Sequence, residues 1–200
     1  SGEGRVRVTA SGIVGDCGMG APTYYLLLRG DAHERLVSAE GEYEVLRTTR
    51  DVLRVVPRWT IADGSFFMAT SVGLDNSALL PPFFPVQFNE DGVFGVTLRS
   101  CFERGFIGYL PRAIQHDPAG RRAHRAQDLY ERQSQLNTAD VVLHCLAAHV
   151  HGPATREPAQ RLGALGRHVK DCGNLKPGDF EEFLRIQRWR QLGASVAHLE

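Results

Sequence analysis

The chain of 200 residues has almost no lysine, few cysteines, no net charge and no long apolar run. Its 23 basic residues balance its 23 acidic residues, so no overall electrostatic field draws it towards nucleic acid or an anionic membrane. Lys170 and Lys176 are the only lysines, and the arginines used elsewhere suit phosphate and carboxylate partners. No stretch is apolar for long enough to cross a bilayer. We therefore expect a protein that neither binds nucleic acid nor spans a membrane.

The scarcity of cysteine excludes two further classes. Cys17, Cys101, Cys145 and Cys172 lie far apart, and no two of them have the CxxC spacing that is typical of a zinc site. Four cysteines in a chain of this length are also too few for the disulfide framework of a small secreted domain. Because the sequence starts without a signal-peptide pattern, a reducing, cytoplasmic location is expected.

The apolar pattern predicts two regions of different fold class. Residues 5–14 alternate and then become apolar, as a strand does, and residues 65–72 also have strand composition. Short strands mixed with helices predict an α/β (α+β) part over residues 1–117. From Pro118 the pattern becomes helical and begins with a charged helix over residues 120–136. Three more predicted helices complete an α-helical bundle over residues 118–200. Asn137-Thr138-Ala139-Asp140 offers an N-cap for the first of these three.

The end of the first region carries the candidate chemistry. Asp91–Phe102 is predicted to be a helix, and Phe106–Leu110 a strand that Pro111 closes. Two adjacent carboxylates, Glu90 and Asp91, therefore stand at the N-terminus of a rigid helix, where the helix dipole favours negative charge.

The surroundings of this carboxylate pair suggest a cleft. A proline-rich aromatic loop, Pro81–Phe88, comes immediately before the pair, and His116 follows the predicted strand. Ordinary structural roles are available too. The acids could be first-turn helix residues, Asp75 and Asn76 could form an Asx-turn, and His116 could simply end a strand.

The order of these elements resembles the acceptor half of GT-A fold glycosyltransferases, especially the large inverting family that uses nucleotide-sugar donors. The resemblance covers about residues 65–117, roughly a quarter of the chain. Its motifs are, in order, Gly73-Leu74-Asp75-Asn76, Glu90-Asp91, Leu98-Arg99, Gly105, Gly108-Tyr109-Leu110-Pro111 and His116.

The resemblance implies a catalytic role for the carboxylate pair. Asp91 occupies the position of the general base, which takes a proton from the acceptor hydroxyl as that hydroxyl attacks the anomeric carbon of the sugar. A positioned base of this kind contributes typically about 10²–10⁴-fold to the rate. Glu90 would hydrogen-bond the acceptor or neighbouring groups.

The resemblance also implies binding residues and a cofactor. Asp75 and Asn76 would shape the acceptor pocket, and Arg99 is a further candidate for substrate binding. His116 falls where some relatives contact a metal or the diphosphate. The full-length protein would use a divalent metal, Mn or Mg, with a nucleotide-sugar and an unidentified acceptor as its substrates.

One part of the family pattern is missing. The donor half of these enzymes carries a DxD motif that holds the metal and the diphosphate, whereas Asp16 and Asp63 each stand alone here. The chain also begins Ser1-Gly2-Glu3-Gly4, without an initiating methionine. We therefore expect a fragment whose donor half lies upstream, and which lacks a nucleotide site of its own.

Three other functions compete with this one. The aromatic residues Phe83–Phe88 could form the partner surface of a non-catalytic binding or regulatory domain. Cys17 could pair with a distant histidine as a hydrolase nucleophile. A metal site could use His144, His149 and His151, although the five-residue separation of the first two suits one helical face poorly.

Overall fold

The computed structural model describes residues 4–16, 30–38, 51–85, 88–120, 136–152 and 157–199. The described strands are β1 (Arg5–Asp16), β2 (Asp51–Arg54), β3 (Thr60–Ala62), β4 (Val72–Leu74) and β5 (Gly105–His116). The described helices are α1 (Asp31–Ser38), α2 (Glu90–Cys101), α3 (Thr138–Ala148), α4 (Pro158–Gly173) and α5 (Pro177–Leu199). A strand-rich part is followed by helices, so the predicted α+β class with a helical C-terminal region is confirmed.

Strand β1 lies at the centre of the sheet. It runs parallel to β5 along almost its whole length, from the pair Arg5–Gly105 to the pair Gly15–His116. Its other edge pairs antiparallel with β4 near the start and with β2 near the end. Strand β3 pairs antiparallel with the far edge of β5. A parallel pair needs a crossover connection, and α2 lies within the connection between β1 and β5.

Strand β5 does not end at Pro111, so that prediction is wrong. Ser11 of β1 pairs with Leu110, whereas the next residue, Gly12, pairs with Ala113. Pro111 and the residue after it therefore form a bulge. A bulged residue does not have to donate to the ladder, so proline is tolerated there and the strand continues.

The predicted strand over residues 65–72 is also wrong for most of its length, because only Val72 belongs to β4. The preceding residues lie irregularly against α2. Phe67 is almost fully buried and meets the Phe94 ring edge-on, with the ring centroids 6.0 Å apart. The apolar composition of this segment thus serves packing on a helix and not pairing in a sheet.

Helix α2 is buried on two faces. One face packs against the sheet in a core made of Val8, Ala10, Phe67, Phe94, Leu98, Cys101, Phe102 and Ile107. The other face packs against α3 and α4 in a second core made of Val93, Ala139, Val142, Leu146 and Leu165. The helix therefore connects the strand-rich part to the C-terminal helices.

The N-terminus of α3 confirms the predicted cap. The Asn137 side chain accepts a hydrogen bond from the Asp140 N–H, and the Asp140 carboxylate accepts one from the Asn137 N–H. This reciprocal capping box satisfies two backbone donors that the helix leaves unpaired.

The predicted charged helix over residues 120–136 lies almost entirely outside the described residues. None of the described helices combines the length and the apolar character needed to cross a membrane.

Two glycines in helices test the packing of residues 65–69 on α2. A Cβ at Gly95 would lie 1.8 Å from the Ser65 carbonyl oxygen, whereas a Cβ at Gly166 in α4 would meet no heavy atom within 4 Å. We expect Gly95→Ala to lower the free energy of unfolding by about 1–3 kcal/mol because of overpacking. Gly166→Ala should raise it by about 0.5–1 kcal/mol through helix propensity. Urea denaturation compares the two variants, and equal stabilities would contradict the described contact.

Candidate functional site

Asn89 sets the entry into α2. Its backbone is left-handed, with φ 61° and ψ 30°, a conformation that asparagine tolerates better than most residues. The Asn89 carbonyl then accepts the first helical hydrogen bond, from the Val93 N–H at 3.1 Å. Glu90 and Asp91 consequently occupy the first helical turn, as predicted, and both are half-buried.

Main-chain donors hold the Asp91 carboxylate on both of its oxygens. The Ala69 N–H donates to Oδ2 at 3.2 Å, and the Gly92 N–H donates to Oδ1 at 2.8 Å. Each carboxylate oxygen can accept more than one hydrogen bond, so a further donor can still be accommodated. The carboxylate is thus oriented without using all of its acceptor capacity.

The segment that supplies Ala69 is itself anchored. Phe67 is buried against α2, and the Tyr109 hydroxyl on β5 donates to the Phe66 carbonyl oxygen. A close approach of Ser65 to Gly95 adds a third attachment. The donor to Asp91 is therefore fixed by the sheet and by the helix together.

The aromatic loop lies next to this carboxylate. The Phe83 ring stacks on the ring of Phe94, one helical turn after Asp91, with the centroids 4.2 Å apart and an angle of 12°. Phe84 remains 39% exposed and Phe88 remains 68% exposed. The N-terminal end of α2 therefore combines an oriented carboxylate with exposed aromatic surface.

Asp75 is engaged by two arginines. Its Oδ2 lies 2.8 Å from Arg5 Nε and 2.8 Å from Arg7 Nη1, and its Oδ1 accepts from the Ser77 N–H at 3.0 Å. The last contact is the Asx-turn that the sequence offered as an alternative, which is confirmed. Hydrogen bonds from Ser77 lower the pKa of Asp75, and the charges of Arg5 and Arg7 lower it further. Asn76 is exposed beside it.

Asp75 and Arg99 lie near the C-terminal end of α2, away from Asp91. The guanidinium of Arg7, the ion-pair partner of Asp75, lies 4.4 Å from the centre of the Phe102 ring. Phe102 follows Asp91 by eleven residues, a rise of about 16 Å along a helix. Arg99 Nη1 donates to the carbonyl oxygens of residues 103 and 105 at 3.0 and 3.3 Å, so it attaches this end of the helix to the turn that leads into β5.

His116 lies at the far end of β5. Its Nδ1 donates to the Asp16 carbonyl oxygen on β1. The strand carries it seven residues beyond Tyr109, which is about 20 Å of extended chain. The structure thus brings Glu90 and Asp91 together and does not bring Asp75, Arg99 or His116 to them.

The surroundings of His116 do not fit the predicted Mn or Mg ion. Such an ion takes about six mainly oxygen ligands, whereas His116 offers one imidazole with Nδ1 already engaged. Within the described ranges, no three or more His, Cys, Asp or Glu side chains are arranged to hold a metal. We assign no catalytic step to a metal at this position.

A histidine cluster joins α3 to α4, and the sequence indicated only part of it. Nε2 of His149 lies 3.2 Å from Nδ1 of His151, and the ring of His168 lies 5.0 Å from that of His149. Burial lowers the pKa of His149 and of His151. The neighbouring histidines lower the pKa of His149 further, and the charge of Arg161 lowers that of His151. His144 lines a separate groove between α3 and α5. His168 reaches the other two histidines only because α3 and α4 pack together, and its position along the sequence does not indicate this.

Cys17, the candidate hydrolase nucleophile, lies outside the described residues.

Replacing Asp75 with asparagine should lower the melting temperature at neutral pH, because two ion pairs are lost. A lowered pKa in the folded state means that this stabilisation is present above the ordinary carboxyl pKa and disappears as the pH falls through the lowered value. The difference in melting temperature between wild type and Asp75→Asn should therefore shrink in acid. Asn76→Ala serves as the control and should change neither quantity. Equal melting temperatures for wild type and Asp75→Asn at neutral pH would contradict the described ion pairs.

Comparison of the chain with protein-family models, with curated proteins and with solved structures finds no match. The resemblance to GT-A glycosyltransferases therefore stays a prediction. It has to be tested on the chemistry of Asp91 and its surroundings.

Proposed function

We propose that this chain forms the acceptor-side part of a glycosyltransferase in which Asp91 is the general base. The observation that carries the proposal is the oriented carboxylate of Asp91, held by the N–H groups of Ala69 and Gly92 at the start of α2. A candidate base must have a fixed direction and remaining acceptor capacity, and this carboxylate has both.

The proposed reaction uses one proton acceptor from this chain. The acceptor hydroxyl donates a hydrogen bond to Asp91, and its oxygen attacks the anomeric carbon of the nucleotide-sugar. The new bond joins the acceptor oxygen to the sugar, the bond between the sugar and the diphosphate breaks, and the hydroxyl proton passes to Asp91. Holding the carboxylate in the reactive direction lowers the entropic part of the barrier.

The exposed rings beside Asp91 supply the acceptor surface. Binding sites for small molecules are usually lined by apolar and aromatic groups, with a few polar groups that set the orientation. Phe84 and Phe88 provide aromatic area, and Glu90 provides a second carboxylate for a neighbouring hydroxyl of the acceptor.

The nucleotide-sugar and its divalent metal belong, in this proposal, to a donor-binding half for which the described residues give no site. Asp75, Arg99 and His116 are engaged in contacts away from Asp91. We therefore assign them to maintaining the fold and not to the acceptor site.

The same exposed rings favour one alternative, a non-catalytic binding domain. Phe83, Phe84 and Phe88 are 41%, 39% and 68% exposed on one loop, and exposed apolar patches mark interaction surfaces. A binding domain needs the rings but not the carboxylate, so Asp91 separates the two functions.

In the full-length protein, Asp91→Asn should reduce sugar transfer by about 10²–10⁴-fold, because the amide cannot accept the hydroxyl proton. Binding of the nucleotide-sugar should stay unchanged, since the substitution leaves the donor side intact. Transfer of labelled sugar and calorimetric donor binding measure the two effects separately. Asp63→Asn, at an exposed position, is the matched control and should keep wild-type transfer. Unchanged transfer by Asp91→Asn would rule out Asp91 as the base and would favour the binding domain.

A further inference from the structure

We propose that the buried thiols of Cys145 on α3 and Cys172 on α4 form a reversible disulfide when a peroxide oxidises them. Both side chains are free thiols, in residues that are 4% and 6% exposed. They belong to the two helices that pack against the second face of α2. The proposal concerns a covalent modification of these helices and does not depend on the proposed glycosyltransferase activity.

The two cysteines share one environment because His168 contacts both of them. Nε2 of His168 lies 3.0 Å from the Cys145 carbonyl oxygen and 3.6 Å from the sulfur of Cys172, which is one turn further along α4. The thiols of Cys145 and Cys172 also form a hydrogen bond with each other. A disulfide can form only between sulfurs that already face one another, and the packing of α3 on α4 supplies that arrangement.

The same contacts make the two thiols unequal. A carbonyl oxygen only accepts hydrogen bonds, so Nε2 of His168 carries a hydrogen, and this N–H also faces the Cys172 sulfur. A donor in that position favours negative charge on Cys172. Burial, together with the charge and the hydrogen bond of Cys172, raises the pKa of Cys145 to about 12. Cys172 is therefore the attacking sulfur, and Cys145 stays a thiol until the second step.

The reaction balances with one molecule of hydrogen peroxide as the oxidant. The Cys172 sulfur attacks one peroxide oxygen, the O–O bond breaks, and the hydroxide that leaves takes up the Cys172 proton to form water. Cys172 is then a sulfenic acid. The Cys145 sulfur attacks the Cys172 sulfur, the S–S bond forms, and the S–O bond breaks. The second hydroxide takes up the Cys145 proton, so two thiols lose two electrons and one peroxide becomes two waters.

The position of Cys172 gives a small oxidant access to its sulfur. Helix α4 ends at Gly173, so Cys172 lies in the last turn. The ends of helices open locally at low free-energy cost, which exposes a thiol that is buried on average. Cys101 provides the comparison within the same protein. It lies in the core between α2 and the sheet, and burial raises its pKa to about 11.

Thiol counting and peptide mapping test the proposal. In a Cys17→Ser protein three cysteines remain, and hydrogen peroxide should lower the number of free thiols in the folded chain from three to one. Dithiothreitol should restore all three. Mass spectrometry of proteolytic peptides should find Cys145 joined to Cys172. The same treatment in urea should give links to Cys101 as well, because the unfolded chain no longer selects the pair.

Two variants separate the attacking thiol from the second one. In Cys145→Ala, Cys172 should stop at the sulfenic acid, which dimedone labels. In Cys172→Ala, Cys145 should stay reduced and unlabelled. Cys101→Ala is the matched control and should form the same link as the Cys17→Ser parent. Circular dichroism identifies a variant that fails to fold, and the result for the parent stands without the variants.

Three results would overturn the proposal. The first is a folded Cys17→Ser protein that keeps all three thiols while the urea-unfolded protein is oxidised. The second is a link that includes Cys101 in the folded protein, since the packing of α3 on α4 would then not select the pair. The third is dimedone labelling of Cys145 in Cys172→Ala, since Cys145 would then react with peroxide by itself.

Discussion

Burial of helix α2 on two faces is the constraint on which the remaining structure depends. Phe94 and Leu98 on one face pack into the sheet, and Val93 on the other face packs against α3 and α4. Each large apolar side chain that is fully buried contributes about 1.5–3 kcal/mol. These contacts are made by one element, so the strand-rich part and the C-terminal helices share it. Near residue 117 the sequence changes from a mixed strand and helix pattern to a helical pattern. This marks a change in secondary structure, and α2 belongs to the cores of both parts.

The same helix explains the position of the candidate base. Because both faces of α2 are fixed, its N-terminal turn is fixed as well, and Asp91 projects from a rigid support. Residues 65–69 cross this helix and place the Ala69 N–H against the carboxylate. The stacked ring of Phe83 brings the aromatic loop to the same end. Packing that is needed for stability thus also orients the groups that we propose for catalysis.

The sequence predicted correctly the helices and strands that are determined by residues close to one another along the chain. Alternation predicted β1, an asparagine cap predicted α3, and the helix after Glu90 followed from its apolar spacing. The remaining features depend on contacts between distant segments. An apolar stretch such as residues 65–71 can pack on a sheet or on a helix, and only the missing side chain at Gly95 made room on the helix. The Glu90–Asp91 pair could be found because a helix start is a local signal. The engagement of Asp75 by Arg7, 68 residues away, could not.

The most direct test of this account is a titration of the Ala69 amide by nuclear magnetic resonance. The Ala69 N–H donates to Asp91 Oδ2, so its proton resonance should move when acid protonates the carboxylate, since the strength of the hydrogen bond changes with the charge of its acceptor. In Asp91→Asn the acid-dependent movement should disappear, while the amides of α4 titrate as in wild type. An Ala69 resonance that follows the same acid titration in both proteins would contradict the described site.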